Sequence, residues 1–177
     1  MAQDVQFLLP DDVPVLPAPF ARRIAALLYE ALLLLAMAIV VGFALLPIIS
    51  PAAPGHTSLR IPSVFGRTLL FCVLVAGASL YYTWCWSDGR RTLPQKTWGL
   101  LIVRGDGSPV TRGAALLRYI AAWMGPTLAL LAYVAMAPDR RRYAAVLLAF
   151  NYAWVLVDRD RQFLHDRLAG TRVVRQT

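Results

Sequence analysis

The sequence predicts an all-α membrane protein, a small bundle of about four transmembrane helices with a cytoplasmic strand–turn–strand loop between helices 2 and 3. Three observations carry this. Of the 177 residues, 58% are hydrophobic and only 16% charged, whereas soluble domains are about half apolar and about a quarter charged. The apolar residues gather in long blocks, the first nearly unbroken from Ile24 to Ile49, which is the length a bilayer requires. The arginines collect at block ends (Arg22, Arg23, Arg90, Arg91, Arg140 to Arg142, Arg159, Arg161), where membrane topology is set.

The net charge of +8 could suggest a nucleic-acid partner. Phosphate binding, however, shows as a basic face with base-stacking aromatics, and here the aromatics lie inside or at the edges of apolar segments. Topology and contact with anionic lipid headgroups account for the charge instead. The chain length suits one membrane domain, residues 20–174, followed by a short tail at 175–177.

Residues 1–19 hold Asp4, Asp11 and Asp12, four prolines and no Lys or Arg. A signal peptide opens with positive charge, so this stretch is expected to be a disordered cytoplasmic leader and the first helix a retained anchor. Helix 1 is expected over about 20–48, starting beside Pro19 and ending near Pro47, with Pro51, Pro54 and Gly55 in the loop beyond. Inside it sits Glu30, roughly 10 Å deeper than Arg23 on the same helix face. An ionisable side chain within a span is costly and marks a functional position by default.

Helix 2 is expected over about 63–86. Gly66, Gly77, Ala78 and Ser79 offer small side chains for close helix approach. Tyr81, Tyr82, Trp84 and Trp86 read as an interfacial aromatic belt. Cys72 and Cys85 would be about 20 Å apart on that helix, too far for a disulfide, and read as small packing residues.

The polar stretch after it carries Arg90, Arg91, Lys96, Arg104 and Arg112 and belongs in the cytoplasm. Leu100 to Val103, the turn at Gly105-Asp106-Gly107, and Val110 with Thr111 predict a local strand–turn–strand. The block 113–137, broken at Gly125-Pro126, is either one bent span, the favoured reading, or an interfacial helix followed by a short membrane segment. In the bent span Arg118 lies a turn inside and snorkels to the surface. The last block, about 142–158, is just long enough to span. Asn151 at its middle should face other helices, where its amide finds partners. Four crossings put both termini in the cytoplasm. Arg140 to Arg142 argue against that count, and two half-helices flanking them are the alternative.

Arg23-x-x-Ala26-x-x-x-Glu30 resembles the opening of the RDD family of small bacterial membrane proteins. Arg91-Thr92-Leu93-Pro94-Gln95-Lys96-Thr97-Trp98-Gly99-Leu100-Leu101-Ile102-Val103 is similar to that family's middle segment, and Asp106-Gly107-Ser108-Pro109 to its turn. The closing Arg161-Gln162-Phe163-Leu164-His165-Asp166-Arg167-Leu168-Ala169-Gly170-Thr171 is the nearest match. The resemblance implies a bacterial inner-membrane protein. It places the family's signature arginine and two aspartates on Arg23, on the position of Glu30 and on Asp166. Glu30 departs from the pattern by one methylene, and Pro94 stands where the family has glycine. A transport role, including cation or proton exchange, is what the resemblance implies of function.

The residues themselves allow several readings. A desolvated Glu30 could exchange a proton for a cation, with Asn151 and carbonyls freed near Pro126 as further ligands. Alternatively, Glu30 pairs with a residue on another helix and fixes packing, as in a non-catalytic membrane scaffold or assembly factor that binds a partner protein or a second copy. His165-Asp166 invites a base–orienter reading. With no nucleophile or metal cluster beside them, no enzyme and no cofactor are expected, and Asp166 reads better as a partner for Arg161, Arg167 or a helix end.

Overall fold

The computed structural model describes residues 18–49 and 62–175. The expected leader up to residue 17, the first loop with its prolines and His56, and the last two residues of the tail lie outside the described residues.

The chain is mostly helical. Helix α1 spans Phe20–Ile49 and α2 spans Val64–Trp86, close to the sequence limits. The one difference is that Pro47 lies inside α1 instead of ending it. Ser63 caps α2 by accepting a hydrogen bond from Gly66 N at 3.1 Å, satisfying one of the donors left over at a helix start. The end of α1 packs tightly on Gly66, where a Cβ would sit 2.7 Å from the Ile49 carbonyl oxygen. Gly77 has no such neighbour, so of the two glycines of α2 only Gly66 brings backbones together.

The polar stretch after α2 holds a short helix, α3 (Leu93–Thr97), and a strand, β1 (Leu100–Arg104). The sequence reading gave β1 but expected its partner across the local turn. Only an isolated bridge, Val103 to Pro109, forms there. The main partner is β2 (Thr171–Arg175), antiparallel, with Leu100 opposite Arg175 and Arg104 opposite Thr171. The tail wins because it brings a full row of alternating side chains, burying Leu101, Val103 and Val174 together, where the local turn offers one pair. Ala18 N donates to the Val173 carbonyl at 3.1 Å, so the start of α1, the central loop and the tail meet at one end of the molecule.

Next come α4 (Arg112–Ala122) and α5 (Met124–Ala135), which together form one interrupted helix. The break falls at Trp123, just ahead of Gly125-Pro126. Pro126 is thereby in the first turn of α5, where a missing N–H costs nothing extra. Gly125 again permits backbone contact, since a Cβ there would meet the Leu148 carbonyl oxygen at 2.8 Å.

The expected fourth helix over 142–158 is not one continuous α-helix. Arg141–Ala149 and Trp154–Leu156 are 3-10 helices flanking the single turn α6 (Phe150–Ala153). Tighter winding lengthens a short segment: residues 141–156 reach about 30 Å this way, against about 24 Å as α-helix. A last short helix, α7 (Leu164–Leu168), leads through Gly170 at φ 62° into β2, the left-handed conformation glycine supplies after a helix.

Three helices, Phe20–Ile49, Val64–Trp86 and Arg112–Ala135, are long and apolar enough to cross a membrane. Their outward side chains are bare hydrocarbon: Leu32, Phe43, Phe65, Leu80 and Val134 are all exposed, in stripes that suit lipid and not water. The core lies at the sheet end, where Tyr82, Cys85, Trp86, Ile102, Val110, Ala115 and Tyr119 pack together. Tyr82 and Trp86 are thus core residues, and only Tyr81 and Trp84 of the expected aromatic belt face outward. Cys72 and Cys85 are both free.

Candidate functional site

The side chains that matter converge under this sheet end. Asp166 lies in the first turn of α7 and is wholly buried. Arg23, near the start of α1, donates from Nη2 to Asp166 Oδ2 at 2.7 Å. Arg118, from α4, places Nη1 2.7 Å from Asp166 Oδ1. One carboxylate therefore holds two guanidiniums from two different helices. Buried charges persist only when paired this closely and braced by further contacts. Arg23 Nη1 donates to the Arg161 carbonyl at 2.7 Å, and Arg161 sits at φ 49°, a left-handed backbone uncommon for arginine. Phe163 covers the Arg23 guanidinium at 4.0 Å and Trp86 covers that of Arg118 at 4.8 Å, geometries in which the ring face attracts the cation. Thr171 Oγ1 accepts from Arg118 at 3.4 Å.

Two expectations are corrected here. Arg118 does not snorkel; it is 5% exposed, because Asp166 supplies the partner that lets it stay inside. Asp166 holds neither the Arg161 nor the Arg167 side chain. Arg167 pairs outside with Asp160 at 2.6 Å and Asp158 at 3.5 Å.

His165 is also buried, and desolvation pushes its pKa down to about 4 against the smaller opposing pull of Asp166. The ring is neutral at pH 7. Its Nε2 lies 3.6 Å from Asp166 Oδ1, beyond hydrogen-bond range, so the carboxylate does not orient it as it would a catalytic base.

Glu30 stands apart from Asp166. Its partner is Thr92, whose hydroxyl donates to Glu30 Oε1 at 2.5 Å. Thr92 also caps α3: its Oγ1 accepts from Gln95 N at 3.4 Å while Gln95 Oε1 accepts from Thr92 N at 2.8 Å, a reciprocal capping box. A cavity of about 400 Å³ opens beside Glu30, bordered by Arg23, Tyr82, Trp86, Arg118 and His165 with apolar walls from Ala26, Leu27, Leu34 and Ala78. The Arg23–Glu30 pair of the first helix is thereby resolved: each faces the same cavity and each has its own partner on another element.

Asn151 is buried and faces other helices, as its position suggested. Its Nδ2 donates to the Ala121 carbonyl at 3.1 Å and the Ala122 carbonyl at 2.7 Å. Pro126 has no N–H to offer Ala122, four residues back, and Asn151 takes that place. Asn151 thus repairs the helix break and stands outside the Glu30 cavity. Thr92, Tyr82 and Trp86 are the site residues the sequence reading missed, although the Thr92-x-x-Gln95 spacing was itself the signal for a capped helix. Among the described residues no cluster of three or more His, Cys, Asp or Glu is placed to hold a metal.

This fold and site define a small helical membrane protein with an ion-paired polar centre at one end of its apolar helices. The chain belongs to the RDD family, whose model matches residues 17–170. No curated protein and no solved structure matches it.

Proposed function

We propose that this protein is a multi-pass inner-membrane protein that passes a small ligand through the Glu30 cavity, with protonation of Glu30 coupled to occupancy. One observation carries the reading. Of the two acidic positions of the family signature, Asp166 is wholly buried and sealed between arginines, whereas Glu30 is partly exposed and borders open space. A sealed carboxylate fixes structure; one beside a cavity can change partners. The topology that goes with this has four crossings, the last through the lengthened 3-10 segment, whose reach of about 30 Å matches a hydrocarbon core. The polar loop, the start of α1 and the tail then lie together in the cytoplasm, with Arg159, Arg161 and Arg172 near anionic headgroups.

Exchange of a simple cation at Glu30 is the weaker form of the proposal, because two guanidiniums border the same cavity. The rival reading, a non-catalytic scaffold or assembly factor, draws on the ion-paired Asp166 and on the long bare faces of α1 and α2. Proteoliposomes with an internal pH dye separate the two. Ligand-driven proton movement that disappears in Glu30→Gln, with the protein still folded, supports transport. Flux unchanged by that substitution would remove Glu30 from the mechanism.

A further inference from the structure

The residues that border the Glu30 cavity are unevenly matched in hydrogen bonding. Arg23 Nε, Arg118 Nε and Trp86 Nε1 are buried and have no partner, and neither has His165 Nδ1. The first three can only donate, so donors are in excess even where the neutral imidazole offers one acceptor. The Glu30 carboxylate is already engaged by Thr92. Buried donors without acceptors are rare in proteins, and each calls for an explanation.

The charges lean the same way. Arg23 and Arg118 share the single negative charge of Asp166, and His165 is neutral. With Glu30 carrying the proton that the proposed coupling to occupancy gives it, one positive charge is left over; an ionised Glu30 would cancel that charge. A cationic ligand would add to two guanidiniums. A neutral apolar one would leave the donors unmatched. An anion answers both the charge and the donors, and the walls of Ala26, Leu34 and Ala78 suit an apolar body behind it.

We infer that the cavity binds a small organic anion, a carboxylate-type head beside Arg23, Arg118 and Trp86 with an apolar body against the alanine and leucine walls. This deepens the proposed ligand-handling role and rests on it. A volume of about 400 Å³ is in the range of small-molecule sites and too small for a whole two-chain lipid. The head chemistry is shared by free organic acids and by anionic lipid headgroups.

The test is calorimetric titration of the full-length protein in phosphatidylcholine nanodiscs with three near-isosteric probes: 4-phenylbutyrate, 4-phenylbutyramide and 4-phenylbutylammonium. The carboxylate should bind at least about tenfold tighter than either of the others. Glu30→Gln should tighten it further, by removing the competing negative charge. Ala78→Phe, which fills the cavity away from the ion pairs, should abolish it even if Arg118→Gln proves unable to fold. A second set of nanodiscs containing phosphatidylglycerol identifies the source: competition by that lipid assigns the site to headgroups, and its absence assigns it to free acids. Equal or tighter binding of the amide or the ammonium probe overturns the anion class while leaving a ligand cavity. No binding by any probe, or binding that survives Ala78→Phe, overturns the cavity reading itself.

Discussion

Arg23 and Asp166 are 143 residues apart in sequence and 2.7 Å apart in space. This contact ties the start of the first membrane helix to the last short helix. Arg118 joins from α4 on the other carboxylate oxygen. Removing one member of such a buried cluster costs more than the cluster itself contributes, because the partners keep their desolvation penalty and lose their compensation.

Asp166→Asn should therefore destabilise the protein by about 3–5 kcal/mol, read as a fall in unfolding midpoint in nanodiscs. Arg167→Ala, which removes a half-exposed side chain paired with Asp160 and Asp158, should shift it by about 1 kcal/mol or less. Similar losses for the two variants would show that the buried cluster is not what holds α1 to α7.

His165 gives a pH signature. Its imidazole binds a proton less readily in the fold, with a pKa of about 4, than at its ordinary 6.5. Stability from this group is complete above the ordinary value and declines as pH falls from there toward 4. The slope is at most about 1.4 kcal/mol per pH unit. Carboxylates titrate in the same window, so the measurement is the difference between the protein and His165→Phe. That difference should grow between pH 7 and pH 5; a flat difference would mean the imidazole is not desolvated.

Asn151 and Pro126 should be coupled. Asn151→Leu leaves the Ala122 carbonyl without a donor and should cost about 1–2 kcal/mol. Pro126→Ala restores the N–H that the carbonyl lacks, so the double variant should lose less than the sum of the single ones. Strict additivity in that cycle would dissociate the two residues.

The meeting of β1, β2 and Ala18 makes a topological prediction. Reporters fused at Ser108 and after Thr177 should lie on the same side of the membrane, in the cytoplasm. A reporter at Pro138 should lie on the opposite side if residues 141–156 cross. A cytoplasmic Pro138 would make α5 and the 3-10 segment a re-entrant pair.

How much of this was legible in sequence depends on range. Helices α1 and α2 were readable almost to the residue, since continuous hydropathy over a bilayer's length is a local signal. Strand β1 was readable from Leu100 to Val103, but its partner was not, because pairing with Thr171–Arg175 is decided by side chains some seventy residues away. Arg118 was misplaced for the same reason. An arginine near a helix end snorkels by default, and only its distant carboxylate keeps it buried. The winding of residues 141–149 follows no propensity in that stretch, which looks as helical as α5. The capping box at Thr92 and Gln95 was present in the letters, hidden by the β-prone run that follows.

The central claim is that Glu30 borders an accessible cavity while Asp166 is sealed. Dicyclohexylcarbodiimide, an apolar reagent that adds to protonated carboxyl groups within bilayers, tests this directly when peptide mass spectrometry maps the labelled residues. Labelling at Glu30, none at Asp166, and loss of the Glu30 adduct in Ala78→Phe are the results predicted. An unlabelled Glu30, or Asp166 labelled as fast as Glu30, would contradict the account.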